Sequence, residues 1–185
     1  MDNKHIDQVR SFIYLGTIVN GNNTQEEEIR ERIAKRNKAF YAYKVLFKSN
    51  LVSTKSKLQL YWSVIRSTVV YGCETSVLEE SIIQKLFMFE RKILRKIFGP
   101  TKEANGIRRI KTNKELDELI KHRNIINYVK AQRLSWFGHT NRMPETSIVK
   151  RINKWKPFTR RPAGRPKSRW DDDVRNDVKK MKLVK

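Results

Sequence analysis

The stretch IIQKLFMFERKILRKIF, residues 82–98, decides the fold because its apolar residues recur at α-helical spacing. One side of this helix carries the apolar residues Ile82, Ile83, Leu86, Phe87, Ile93, Leu94 and Ile97. The other side carries the five cations Lys85, Arg91, Lys92, Arg95 and Lys96. Gly99 and Pro100 follow directly and are typical of a helix end. The segment therefore predicts an amphipathic helix in a mainly α-helical protein.

Two helices are predicted before this segment. Residues 24–48 would form one, with Thr24 as its N-cap and with one apolar side made of Ile29, Ile33, Phe40, Tyr43 and Phe47. Residues 54–71 would form the second, capped by Ser53 and stopped by Gly72. The apolar arc of the second helix is wide, so we expect it to be the most buried element.

Further helices are predicted after it. Thr112 and Glu115 fit a capping box that starts a helix at residue 113, and a second helix would start at Asn124 and end near Gly138. Residues 146–156 favour a weaker helix or strand, and prolines forbid regular structure from 157 to about 167. A short terminal helix is expected from Asp171 onward.

The chain begins with a different pattern. SFIYLGTIV, residues 11–19, is rich in β-branched and aromatic residues and predicts a short strand, and Asn20–Asn23 predicts a turn. The expected architecture is therefore a β element over residues 1–22, a helical bundle over 23–100, further helices over 101–145, and a basic, partly irregular region over 146–185.

The charge points to a polyanionic partner. Lys and Arg number 41 against 19 Asp and Glu, which gives a formal net charge of +22. Residues 146–170 contain no acid and interleave Trp155, Phe158 and Trp170 with nine cations. Cations suit phosphates and flat rings suit unstacked bases, so RNA, DNA or an RNA–DNA hybrid is the expected partner. The alternative interpretation of the same run is a solvated, self-repelling linker.

The candidate nucleic-acid contacts lie on the helix 82–98 and in the basic run. On the helix 82–98 they are Lys85, Arg91, Lys92, Arg95 and Lys96. In the basic run they are Lys150, Arg151, Lys154, Trp155, Lys156, Arg160, Arg161, Arg165, Lys167, Arg169 and Trp170. A second mode stays open, in which an arm with Gly164-Arg165-Pro166 enters a DNA minor groove.

Several functional classes are disfavoured. No run of about 18 apolar residues is present to span a membrane, and residues 1–10 lack the apolar run of a secretion signal, so a nuclear or cytoplasmic location is expected. One cysteine excludes an internal disulfide, and no metal site or catalytic group is predicted. The acids at 171–173 are interpreted as helix N-terminal acids, His139 as a core or interface histidine, and Cys73 as a small buried residue.

Four short motifs follow one another along the chain. They are FIYLG at 12–16, YGCET at 71–75, RLSWFGH at 133–139 with Arg142-Met143, and GRP at 164–166 with Arg169-Trp170. In this order and at these spacings they resemble the C-terminal portion of the endonuclease-reverse transcriptases of LINE-type (non-LTR) retrotransposons. The resemblance covers roughly residues 10–180.

The resemblance implies a functional map. Tyr14, Leu15 and Gly16 are similar to the primer-grip strand at the end of the palm, residues 23–100 to the helical thumb that clamps template and primer, and residues 101–185 to the post-thumb region. The family consists of RNA-directed DNA polymerases, so Mg²⁺ is implied for the full-length enzyme and no cofactor for this chain. A separate palm and fingers portion is an implied partner.

The chain also departs from the family pattern. The two adjacent aspartates of the family's palm motif lie upstream in the relatives and are absent here, and Ser76 stands where the family usually has Trp. We therefore expect no polymerase activity from this chain by itself, which would be a fragment, a truncated gene product or a decayed copy. An independent DNA-binding module, and an interaction protein whose charge only solvates it, remain alternatives.

Overall fold

This computed structural model describes residues 7–21, 25–155 and 169–181. Most of these residues are helical. The helices are α1 (Glu26–Ala42), α2 (Lys44–Lys48), α3 (Thr54–Leu60), α4 (Ser67–Val69), α5 (Glu80–Phe98), α6 (Asn113–Leu119), α7 (Ile125–Arg142), α8 (Ile148–Lys154) and α9 (Trp170–Lys180). The strands are β1 (Ser11–Tyr14), β2 (Thr17–Asn20), β3 (Thr101–Lys102) and β4 (Arg108–Arg109), which pair as two antiparallel hairpins. The predicted mainly α-helical fold with a short β element at its start is confirmed.

Helix α5 supplies much of the core. Its buried side contacts α1, α2, α3, α6 and α7. The buried residues of α5 are Ile82, Leu86, Phe89, Glu90, Ile93, Leu94 and Ile97. The prediction of an apolar side was right for five of these, whereas Ile83 and Phe87 are only half-buried. Gly99 has a φ of +66° directly after the helix, which confirms the predicted helix end.

The predicted helix 24–48 is interrupted. The chain leaves the α-helical conformation at Tyr43, so α1 and α2 are two helices and the prediction of one was wrong. The break allows the rings of Phe40 and Phe47 to pack with their centroids 4.7 Å apart. In a straight helix, residues seven apart are separated by about 10 Å along the axis. The predicted cap, Thr24, lies outside the described residues.

The predicted helix 54–71 is also irregular. Ser53 caps α3 as expected, since its hydroxyl accepts the Ser56 N–H at 3.1 Å. Residues Tyr61–Arg66 then form a π-helical segment before α4, which the sequence did not predict. Tyr61 and Ile65 are fully buried, but α5 contributes more buried residues, so the expectation that residues 54–71 form the most buried element was wrong. Gly72, with a φ of +69°, follows the end of the helix.

The single strand predicted over residues 11–19 was wrong, because the chain reverses inside it. Leu15 and Gly16 both have positive φ, 48° and 79°, and connect β1 to β2 in a two-residue turn. Two left-handed central residues match the twist of antiparallel strands, which is why such turns close hairpins. The turn predicted at Asn20–Asn23 lies partly outside the described residues.

The C-terminal helices follow their predicted start signals. Thr112 and Glu115 form the capping box of α6, and the Asn124 side chain accepts the Asn127 N–H at 2.9 Å at the start of α7. Helix α7 continues through Gly138 to Arg142, so the end predicted near Gly138 was too early. Residues 148–154 are helical, and α9 begins at Trp170 with acids in its first turn. No described helix is long and apolar enough to cross a membrane.

Candidate nucleic-acid interface

The exposed side of α5 carries the five cations predicted there. Lys92 and Lys96 are exposed, and Lys85, Arg91 and Arg95 are half-buried. Met88 lies among them and is 61% exposed. Since the opposite side of α5 is packed into the core, this row of cations is presented on a rigid element.

Most of these cations lack an acidic partner. Within the described residues, only Lys85 forms an ion pair, with Glu26. The Arg95 guanidinium donates to uncharged acceptors, the Lys111 carbonyl at 3.2 Å and the Asn113 side-chain oxygen at 2.7 Å. The Arg91 guanidinium lies over the Phe87 ring, 4.6 Å from its centroid. Among the described residues, no carboxylate lies within 4 Å of the other four cations, although the charge of Arg91 acts on Asp117 at longer range and lowers its pKa.

A groove of about 300 Å³ runs between α1 and α5. Its lining residues are Arg30, Ile33, Asn37, Lys85, Met88, Phe89 and Lys92. The groove thus combines an apolar floor with a basic rim. The contribution of α1 was not predicted, although Arg30, Ile33 and Asn37 recur at helical spacing and share one side of that helix.

The basic run begins on α8, where an acid just outside the run compensates part of its charge. Glu145 accepts from Lys154 at 2.7 Å and pairs with Lys150 at 3.0 Å, and these two ammonium groups hold the pKa of Glu145 below its usual range. Arg151 and Trp155 are exposed, Trp155 to 62%. Among the α8 candidates, these two are presented most freely to solvent.

Trp170 has a packing role at the start of α9. Its indole N–H donates to the Glu74 carbonyl at 2.8 Å, and its ring lies 6.2 Å from the Phe137 ring, centroid to centroid. The preceding Arg169 is exposed. The remaining candidates lie outside the described residues: Lys156, Arg160, Arg161, Arg165 and Lys167, together with the Gly164-Arg165-Pro166 arm.

Two acids of α9, Asp173 and Asp177, belong to a buried ion-pair cluster that the sequence did not predict. Arg133 of α7 is fully buried, donates to Asp173 at 2.6 Å and lies 3.6 Å from Asp177. Asp177 also accepts from Lys130 at 2.7 Å. These contacts attach α9 to α7. In the described part of the chain, no group of three or more His, Cys, Asp or Glu residues is arranged to hold a metal ion.

Glu90 is a second buried acid that periodicity did not reveal. It is 1% exposed and accepts the Tyr61 hydroxyl at 3.0 Å and the Ile125 N–H at 2.8 Å. Burial raises the pKa of Glu90 to about 7. Burial of Tyr61, together with the neighbouring charge of Glu90, raises the pKa of the Tyr61 hydroxyl well above its usual value. Because both carboxylate oxygens are engaged, the arrangement suits a structural tie more than proton transfer.

Cys73 and His139 are the two residues whose possible catalytic roles were considered from the sequence, and the structure places them differently. Cys73 is 6% exposed, which confirms the prediction of a small buried residue, and burial raises the pKa of its thiol to about 11. A thiol with so high a pKa is a poor nucleophile. His139 is exposed on α7 beside Trp136, with ring centroids 5.5 Å apart, so the core alternative was wrong and the interface alternative stays a prediction.

Tyr14, Leu15 and Gly16, the primer-grip-like stretch, form the tip of the β1–β2 hairpin. Tyr14 and Leu15 are 62% and 77% exposed. The hairpin is held to α1 close to its turn, where the Glu28 carboxylate accepts the Ile18 N–H at 2.6 Å and Arg32 donates to the Thr17 hydroxyl oxygen at 3.0 Å. The hairpin therefore lies against α1 on its β2 side and leaves the apolar side chains of Tyr14 and Leu15 in solvent.

Comparison with known proteins gives a transposon-derived relative. The chain is similar to a transposon-derived protein of Caenorhabditis elegans, with 25% identity over 174 residues. The similar region covers 94% of this chain and 62% of the relative, so the chain spans less than two thirds of the relative's length. No family model matches the chain, and no solved structure matches it. The similarity indicates a connection with transposable elements along nearly the whole chain.

Proposed function

We propose that this chain is the nucleic-acid-binding part of a transposon-encoded, LINE-type reverse transcriptase. It holds template and primer through the basic side of α5 and through the basic region that begins at α8. It contributes no catalytic aspartates, and the Mg²⁺ of the reaction belongs to the palm of the full-length enzyme. The chain acts in the nucleus or cytoplasm on RNA, DNA or an RNA–DNA hybrid.

One observation carries this proposal: the exposed side of α5 presents Arg91, Lys92, Arg95 and Lys96, and within the described residues none of them forms an ion pair within 4 Å. A folded protein that carries a net charge of +22 and exposes unpaired cations along one rigid helix is suited to bind a polyanion. Similarity to a transposon-derived relative and the four motifs favour nucleic acid of a mobile element as that polyanion.

The hairpin favours a further protein partner within this function. Phe12, Ile13, Tyr14 and Leu15 are each more than half exposed on β1 and its turn. A two-stranded hairpin with apolar residues in solvent is marginally stable by itself. We expect it to pack against the separate palm and fingers portion, as the resemblance to a primer-grip strand implies.

The test is a binding titration of the whole chain with single-stranded RNA, an RNA–DNA hybrid and duplex DNA across a salt series. The variant is Lys92→Gln/Lys96→Gln, and the charge-matched control is Lys55→Gln/Lys121→Gln, two exposed lysines that lie neither on α5 nor in the basic region. Two lost phosphate contacts should reduce the slope of log K against log salt by about 1.5. The control should keep the wild-type slope.

Equal reductions of the salt slope in the variant and in the control would contradict the proposal. The charge would then act without regard to position, as in a solvated polycation. Binding of all three ligands with the same low affinity would also contradict a role for the α5 surface.

A further inference from the structure

Three lysines act on the side chain of Tyr41, which lies on α1 beyond the last residues that line the groove between α1 and α5. Lys92 and Lys96 come from α5, and Lys44 is the first residue of α2. Their charges all act on the phenol of Tyr41, which is 48% exposed. The Lys96 Nζ lies 3.4 Å from the Tyr41 hydroxyl oxygen.

Lys96 is positioned by two aromatic rings. Its Nζ lies 4.5 Å from the centroid of the Tyr41 ring and 5.0 Å from that of the Phe40 ring. Phe40 is 2% exposed and so has a fixed position in the core. An ammonium group held against aromatic faces loses little further freedom when it binds an anion.

No acid neutralises this cluster. Within the described residues, no carboxylate oxygen lies within 4 Å of the Nζ of Lys44, Lys92 or Lys96, whereas Lys85 at the other end of the groove is paired with Glu26. Like charges that converge in this way repel one another until a counter-ion lies between them. The same three charges lower the pKa of Tyr41, chiefly through its hydrogen bond with Lys96.

We propose that Tyr41, Lys44, Lys92 and Lys96 form a seat for one phosphate group of a nucleic-acid backbone. The three ammonium groups supply donors and charge. The Tyr41 hydroxyl accepts from Lys96 and donates its own proton to a phosphate oxygen. This inference rests on the proposed function, and it adds to the α5 surface two residues, Tyr41 and Lys44, that lie on other elements.

The groove fits the course of a strand that ends at this seat. Met88 and Ile33 form an apolar floor on which sugar carbons can lie, and Asn37 offers a polar side chain beside Lys92. From Lys85 to Lys92 the groove follows α5 for about 10 Å, which is two turns of helix, and Lys96 lies one turn further along α5. The strand would pass the paired Lys85 first and reach the unpaired cluster last.

The first arm of the test measures binding of an RNA–DNA hybrid by Tyr41→Phe and Lys44→Gln, with Lys55→Gln as control. Lys44 and Lys55 are both exposed, so neither replacement disturbs the core. We expect Lys44→Gln to lower the salt slope by about 0.7 to 0.9. Tyr41→Phe should weaken binding about three- to tenfold at unchanged slope. Equal effects of Lys44→Gln and Lys55→Gln would overturn the seat and leave the proposed function standing.

The second arm observes the phenol directly. NMR of protein labelled at tyrosine Cζ follows the titration of Tyr41, whose signal is assigned by its loss in Tyr41→Phe. A bound phosphate adds negative charge beside the phenol and should raise its pKa. The ligands are the hybrid, inorganic phosphate and pyrophosphate, and Lys44→Gln should reduce the rise.

The two arms separate the outcomes. A rise with the hybrid supports the seat for a backbone phosphate. A rise with pyrophosphate and no binding of the hybrid would mean a seat for free phosphate and would contradict both the backbone assignment and the proposed function. An unmoved Tyr41 signal at saturating hybrid would overturn the seat while binding by the rest of the surface persists.

Discussion

The Tyr61 hydroxyl donates a 3.0 Å hydrogen bond to Glu90, and both side chains are buried. The other carboxylate oxygen of Glu90 accepts the N–H of Ile125, the first residue of α7. One buried acid therefore joins the π-helical segment after α3, the middle of α5 and the start of α7. The exposed cations of α5 lie on the opposite side of a helix that this contact holds in place.

This contact predicts a pH-dependent stability. Burial raises the pKa of Glu90 from 4.5 to about 7, so the folded protein binds this proton more tightly than the unfolded chain does. The free energy of unfolding should then fall as the pH rises from about 4.5 to 7, by roughly 3 kcal/mol. Urea unfolding at a series of pH values from 4.5 to 8 measures it.

The variant Glu90→Gln tests the assignment because it keeps the shape and removes the ionisation. Its stability should change much less between pH 4.5 and 8 than that of the wild type. Glu80→Gln on the exposed side of α5 is the control and should keep the wild-type dependence. If Glu90→Gln also kept it, another group would be responsible.

Arg133 predicts a large loss of stability. Its buried guanidinium lies between Asp173 and Asp177, and Arg133→Leu would leave these carboxylates short of a partner. Removing one partner of a buried ion pair costs about 3–5 kcal/mol. Chemical denaturation should show this loss, and hydrogen exchange should show faster exchange in α9.

The matched control is Arg175→Leu. Arg175 pairs with Asp171 at 2.7 Å on the exposed side of α9, and its side chain is 60% exposed. Such surface pairs contribute about 0–1 kcal/mol. Similar losses for Arg133→Leu and Arg175→Leu would contradict the anchoring role of the buried cluster.

The capping box of α6 predicts a smaller, local effect. The Thr112 hydroxyl accepts the Glu115 N–H at 3.2 Å, and the Glu115 carboxylate accepts the Thr112 N–H at 2.6 Å. Thr112→Ala should lower the free energy of unfolding by about 1 kcal/mol. Ser147→Ala is the control, because Ser147 precedes α8 without a side-chain capping hydrogen bond. A loss of similar size in both variants would refute the cap as the cause.

Local signals explain how much of this fold could be predicted. The caps at Ser53, Thr112 and Asn124 and the glycine end at Gly99 each act within one turn, so sequence alone revealed them. The turn at Leu15 was missed because non-glycine residues seldom adopt positive φ. The break at Tyr43 was missed because it depends on the tertiary packing of two rings.

The candidate nucleic-acid interface could also be predicted only in part from the sequence. Helical spacing placed Lys92 and Lys96 on the exposed side of α5 correctly. Spacing could not show that Glu145 pairs with two cations of the basic run, nor that Tyr41 lies against Lys96 from another helix. A buried acid such as Glu90 cannot be predicted from hydrophobic periodicity, because that method assigns every charged residue to the exposed side of a helix.

The two candidate tryptophans predict opposite results. Trp155 is 62% exposed and stands at the end of the basic α8. Trp170 donates its indole N–H to the Glu74 carbonyl and contacts Phe137. A free ring can stack on a base, whereas a packed ring stabilises the fold. Trp155→Ala should therefore weaken binding to single-stranded RNA, and Trp170→Ala should lower stability.

The magnitudes make the two roles separable. Loss of one stacked base costs about 1–3 kcal/mol of binding free energy, which is roughly a five- to hundredfold weaker Kd. Trp155→Ala should show this weakening with an unchanged midpoint of urea unfolding. Trp170→Ala should shift the midpoint of urea unfolding. In buffer without urea, at a temperature at which this variant is folded, it should bind RNA as the wild type does. If instead Trp170→Ala lost affinity while keeping its midpoint, the indole would leave Glu74 to reach a base, and the anchoring of α9 would depend on the Arg133 cluster alone.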